Sequence, residues 1–120
     1  AKTDDGLLDV GLAMPPALGG TGQGTNPEQL FAAGYAACFG SAVGHVARAQ
    51  KVRPGPIAVT ARVSLGPVGE AFGLAVTLEV AMPELERAEA EALVQKAHEV
   101  CPYSNATRGN IEVEVRLAGS

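Results

Sequence analysis

The side chains best suited to nucleophilic or redox chemistry are the two cysteines, Cys38 and Cys101, and the groups that ionise nearest neutral pH are His45 and His98. The cysteines are too far apart in sequence to form a CxxC metal or thioredoxin-type site. A zinc centre would need both histidines as well, and nothing in their spacing supports that, so no metal is expected. Cys38 has apolar neighbours on both sides (YAACFGSAV). On pattern alone it reads more readily as a small buried hydrophobe than as a nucleophile, because a buried thiol has a raised pKa and stays inert without a nearby positive charge. Cys101, followed directly by proline, falls where a helix gives way to a loop. Glu28 precedes Cys38 by ten residues, about 15 Å along a helix axis, which is too far for a direct base. Two roles stay open for Glu28: plain helix capping, or orienting a cation beside a thiolate. Tyr35, His45 and His98 read first as packing or surface residues.

These residues need elements to position them, and the main one is the stretch from Thr25 to Gln50. Thr25 or Asn26 can cap a helix, Pro27 suits its first turn, Glu28 complements its positive end, and Thr25-x-x-Glu28 fits a capping box. Phe31, Tyr35, Cys38, Ala42, Val46 and Ala49 recur at helical steps, with Ala and Gly filling much of the rest. A helix apolar on nearly all sides must be surrounded, by its own sheet and by another subunit. Its length raises the question of a membrane span, but it is Ala/Gly-rich and contains His45, so a buried helix of a globular domain is the better reading.

Before that helix, Leu8, Val10, Leu12 and Met14 alternate with Asp9, Gly11 and Ala13, predicting a half-buried strand over residues 7–14. Pro15-Pro16 ends it, and the glycine-rich stretch 19–24 lacks the Lys-Ser/Thr ending of a phosphate-binding loop. After the helix, Ile57–Leu65 and Phe72–Met82 alternate in the same way around a turn-rich connector, predicting an antiparallel hairpin. A second helix is expected over about 84–100, acidic at its start and ending with Lys96 and His98. A polar loop follows over 101–110, then a last strand through Ile111, Val113, Val115 and Leu117. The order strand, helix, hairpin, helix, strand implies one α+β domain with a largely antiparallel sheet.

Composition agrees with a single globular domain: 120 residues, 47% hydrophobic and 18% charged, with no tryptophan, so aliphatic side chains must make the core. A net charge of −4 with no Lys/Arg cluster argues against nucleic acid as a partner. The polar start AKTDDG carries no apolar leader segment, and two cysteines in that setting suggest a reducing compartment.

TNPEQLFAAGYAACF, from Thr25, together with VCPYSNATRGNI, from Val100, closely resembles the organic hydroperoxide resistance (Ohr) branch of the OsmC/Ohr superfamily. Each motif contains a cysteine, and the resemblance covers essentially the whole chain. It implies an OsmC-like fold, an intertwined homodimer whose antiparallel sheets wrap around central helices, with no membrane association. It also implies a cytoplasmic, thiol-dependent peroxidase that needs no cofactor. On this resemblance Cys38 is the peroxidatic thiol and Cys101 the thiol that closes a disulfide with it. Glu28 matches the acidic residue that holds a catalytic arginine against the thiolate. Organic and fatty-acid hydroperoxides are the implied substrates, in an apolar pocket around Phe31 and Phe39, with dihydrolipoamide or a lipoylated protein as reductant.

One feature departs from the family pattern. The family's arginine lies in a Gly-Gly-Arg segment before the strand that here begins at Leu7, and none of Arg48, Arg53, Arg62, Arg87, Arg108 or Arg116 stands there. Lys2 does not fit the motif either, so an N-terminal hairpin strand carrying the arginine is expected to be missing from this chain. Two other functions compete: a non-enzymatic carrier of small apolar ligands on the same dimeric scaffold, with Cys38 as packing, and a peroxide sensor signalling through its disulfide. The sensor lacks any recognisable DNA-binding element.

Overall fold

A computed structural model describes residues 1–119. Helix α1 (Pro27–Ala49) is followed by strands β1 (Ala58–Val68) and β2 (Ala71–Ala81), helices α2 (Arg87–Val100) and α3 (Pro102–Thr107), and strand β3 (Glu112–Leu117). The fold is α+β: the strands form one sheet in the order β1-β2-β3, and α1 packs on β1 and against α2.

The hairpin follows directly from the period-two pattern. Val59 pairs with Val80, Ala61 with Leu78 and Val63 with Val76, so the alternating apolar residues of both strands share a face. Val68 and Ala71 close it around Gly69-Glu70, and Gly69 takes φ +59°, the left-handed conformation that a tight hairpin turn places on glycine. Val76, Leu78 and Val80 of the central strand are almost fully buried, together with Tyr35, Phe39, Val43, Leu93 and Ala97 from the helices.

One expectation is refined and two need correction. The sheet is antiparallel between β1 and β2, as a largely antiparallel sheet requires, but the last strand runs parallel to β2, pairing Val76 with Val113 and Val80 with Leu117, so the sheet of the single chain is mixed. Helix α2 is the reason, since a helical crossover returns the chain to the same end of the sheet and makes β2-α2-β3 a parallel unit. Residues 7–14 form no continuous strand, only isolated bridges between Lys2 and Asp9 and between Leu12 and Thr25. A period of two shows that a segment can pair but supplies no partner, and here Leu7, Leu8, Leu12 and Met14 lie exposed. The segment after Cys101 is helical over Pro102–Thr107, with proline in its first turn.

Helix α1 starts one residue later than a Thr25 cap would place it. Pro27 occupies the first turn, Asn26 is the cap, and its Oδ1 accepts the Gln29 backbone N–H at 2.8 Å. Asn26 rather than Thr25 is therefore the cap, and the Gln29 side chain accepts the Thr25 hydroxyl at 2.7 Å. Tyr35, Phe39, Ala42, Val43, Val46 and Ala47 face the core. Ala33, Ala37, Ser41 and His45, spaced four apart, form an exposed ridge of mostly small residues. By length and composition alone α1 could cross a bilayer, but 33% of its most apolar window is buried, where Tyr35, Phe39, Ala42, Val43, Val46 and Ala47 join the core.

Candidate active site

Two helices bring the cysteines together across 63 residues of sequence. Cys38 sits mid-way along α1, and Cys101 is the single residue between α2 and α3, in an extended conformation (φ −63°, ψ 125°). Their sulfurs lie 3.5 Å apart, with the thiols unbonded. That is van der Waals contact, about 1.5 Å longer than a disulfide bond. Cys101 is completely buried and Cys38 partly accessible.

Cys38 opens onto a cavity of about 410 Å³ lined by Ser41, Ala42, His45, Val100 and Pro102. Burial pushes the Cys38 thiol pKa up, the Tyr103 backbone N–H opposes that shift, and the neighbouring Cys101 adds to it. None of these influences is a cation. Arg62 and Arg116 both reach Glu79, Arg87 pairs with Glu91, and Arg108 bonds the Asn105 side chain.

Beneath the thiols lies a buried polar network. Ser104 Oγ is 2.8 Å from the Tyr35 hydroxyl and 2.7 Å from His98 Nδ1. The Tyr35 hydroxyl is also 3.2 Å from Thr107 Oγ1, and the Thr107 hydroxyl donates to the Ser104 carbonyl at 3.2 Å. Arg108 donates to Asn105 Oδ1 and to the His98 carbonyl. Tyr103 lies over Gly34 of α1, its ring stacked on Phe31 at 6.2 Å and edge-on to Tyr35 at 5.7 Å.

Among the residues singled out from the sequence, the fold brings Cys38 and Cys101 together, places His45 in the cavity at Cys38, joins Tyr35 and His98 through Ser104, and leaves Glu28, Phe31 and Phe39 away from the opening. Glu28 stays at the entrance of α1, where it lines a different cavity of about 310 Å³ with Leu18, Ala32 and Val63. Phe39 is fully buried against His98, and Phe31 packs on Tyr35 and Tyr103, so neither lines the opening at Cys38. Residue-by-residue reading missed Tyr103, Ser104 and Thr107 and took Tyr35 and His98 for packing or surface residues. The signal was the polar run after Cys101, whose hydroxyls must find partners once buried.

His98 gives a pH prediction. Burial first, and the Arg108 charge second, lower its pKa below the usual 6.5, so it is neutral in the fold. The unfolded chain binds a proton near pH 6.5 that the fold resists, so stability falls as pH drops through 6.5 and levels off below the folded value. An NMR titration of the His98 ring is expected to show a midpoint below 6.5, shifted upward in Arg108→Gln. A midpoint at or above 6.5 would contradict the assignment.

A family profile described as OsmC-like protein matches residues 20–116. The chain belongs to the OsmC/Ohr family. The organic hydroperoxide resistance protein of Xanthomonas axonopodis pv. citri is 52% identical over 120 residues, covering 98% of this chain and 84% of that protein. The organic hydroperoxide resistance protein OhrB of Bacillus subtilis is 48% identical, covering 96% and 85%. Among solved structures of the family, one from Vibrio cholerae superposes with a TM-score of 0.94 at 52% identity, over 99% of this chain and 83% of that one. It is described as a putative organic hydroperoxide resistance protein with captopril bound in one of the active sites. A Legionella pneumophila organic hydroperoxide resistance protein, also described as a predicted redox protein, gives 0.93 at 56% identity, over 97% and 85%.

Proposed function

We propose that this protein is a cysteine-based peroxidase that detoxifies organic hydroperoxides. The observation that carries this reading is the 3.5 Å approach of a cavity-facing Cys38 to a buried Cys101. The Cys38 thiolate attacks the terminal peroxide oxygen. An S–O bond forms, the O–O bond breaks, and the alkoxide leaves as the alcohol after taking up a proton. Cys101 then attacks the Cys38 sulfenic acid: the S–S bond forms, the S–O bond breaks, and water departs. A dithiol of the dihydrolipoamide type reduces the disulfide and is itself oxidised to the cyclic disulfide.

The mostly apolar lining at Cys38 suits the alkyl part of an organic hydroperoxide, and Phe31 stacked on Tyr103 adds apolar surface elsewhere along α1. Because burial raises the Cys38 pKa, the thiolate needs a cation beside it. In the family pattern that cation is an arginine held by an acidic residue at the position of Glu28; residues 1–6 here contain no arginine. The exposed Ala33-Ala37-Ser41 ridge and the uncovered Leu7, Leu8, Leu12 and Met14 support a homodimer in which a second copy covers them. A cytoplasmic setting fits a catalytic cycle that depends on free thiols.

The test is consumption of cumene or tert-butyl hydroperoxide with dihydrolipoamide as reductant, compared with thioredoxin and glutathione. Turnover with dihydrolipoamide well above the other two is expected. Tight binding of an apolar ligand, unaffected by Cys38→Ser and without peroxide loss, would instead favour a carrier.

A further inference from the structure

We infer that the buried Tyr35–Ser104–His98 chain is a positioning latch that holds Cys101 against Cys38 for disulfide closure. The inference rests on the proposed two-cysteine cycle and concerns only its second step. Cys101 joins two helices through one extended residue, so α3 could swing about it unless something ties α3 down. The tie lies one turn further on. Ser104 is fully buried, and its hydroxyl sits between Tyr35 of α1 at 2.8 Å and His98 of α2 at 2.7 Å.

Each partner lies three residues from a reacting sulfur: Tyr35 before Cys38, His98 before Cys101, and Ser104 after Cys101. One hydroxyl therefore joins the three helices whose relative placement sets the sulfur–sulfur distance. A neutral His98 lets the chain run in one direction, with the Tyr35 hydroxyl donating to Ser104 Oγ and the Ser104 hydroxyl donating to His98 Nδ1. Thr107 and Arg108 brace the same helix: the Thr107 hydroxyl donates within α3 to the Ser104 carbonyl, and Arg108 donates back to the His98 carbonyl of α2. Closure needs the sulfurs to move about 1.5 Å closer. With α3 fixed, that movement is a small shift of Cys101. With α3 loose, Cys101 must first be found.

Closure can be timed without peroxide by mixing the reduced protein with 5,5′-dithiobis(2-nitrobenzoate). The half-exposed Cys38 attacks the reagent, forming a mixed disulfide and releasing one thionitrobenzoate. Cys101 then attacks the Cys38 sulfur, the Cys38–Cys101 bond forms, and the second thionitrobenzoate leaves. In Tyr35→Phe, which keeps the ring and removes only the hydroxyl, the first phase is expected at the wild-type rate and the second about tenfold slower. Ser104→Ala is expected to slow the second phase at least as much, and it decides the matter if Tyr35→Phe does not fold. A second phase at the wild-type rate in a folded variant overturns the latch. Wild-type protein that closes its disulfide but consumes no peroxide defeats the peroxidase reading and leaves the latch standing.

Discussion

Cys38→Ser is expected to reduce hydroperoxide consumption to the uncatalysed background, whatever reductant is supplied. A serine hydroxyl stays protonated at neutral pH and cannot accept oxygen from a peroxide, so both the nucleophile and its oxidised state are lost. Cys101→Ser should behave differently. The cavity-facing thiol remains, so each chain reduces one peroxide and then stalls, because no thiol lies 3.5 Å away to capture the sulfenic acid. Excess peroxide then drives Cys38 to the sulfinic acid, read as a mass gain of two oxygen atoms without a disulfide. The contrast between the two variants is the informative result. Equal loss in both would mean that Cys101 acts in the first chemical step, against the order of events proposed above. Steady turnover in Cys101→Ser with a monothiol reductant would show that the buried cysteine is dispensable for closing the cycle.

Parts of this site were legible in the sequence, and the parts that were not have a common physical cause. The hairpin could be read because the period of two and Gly69 act locally, and β1 and β2 pair in the register that places Val59, Ala61 and Val63 opposite Val80, Leu78 and Val76. Helix α1 could be read from its proline, cap and length, although the choice between Thr25 and Asn26 turned on which residue Pro27 leaves outside the helix. The cysteine pair could not be read from spacing. Two helices determine the meeting of Cys38 and Cys101, and only the likeness of the surrounding motifs to a known family pointed to it. Pro102–Thr107 read as a loop because Ser, Asn and Thr usually favour turns. It is a helix because burial gives the Ser104 and Thr107 hydroxyls the Tyr35 and His98 groups as partners. The parallel direction of β3 follows from the helix expected between the two strands, but its place beside β2 rather than β1 was hidden, since a crossover helix does not state which edge of the hairpin the chain returns to.

Gly34 offers the sharpest steric test of how the two cysteine motifs fit together. It lies one turn before Cys38 on α1, and the Tyr103 ring of α3 rests over its Cα. A Cβ built at Gly34 would meet Tyr103 Cε2 and its hydroxyl oxygen at 3.3 Å, tighter than ordinary contact but against a side chain that is 39% exposed and able to give way. Gly34→Ala is therefore expected to be close to neutral, because the few tenths of an ångström required offset the gain of up to about 1 kcal/mol from removing a mid-helix glycine. Gly34→Val adds two methyl groups where one carbon already crowds the ring, and overpacking of this kind costs about 1–3 kcal/mol. The strain falls on α3, so Tyr103 and with it Cys101 should be pushed away from Cys38. The expected result is a folded protein with a lowered denaturation midpoint that reacts with the first equivalent of peroxide, closes its disulfide slowly, and accumulates sulfinic Cys38. If Gly34→Val lowers stability but closes its disulfide at the wild-type rate, the packing of Tyr103 on α1 stabilises the fold without setting the distance between the thiols.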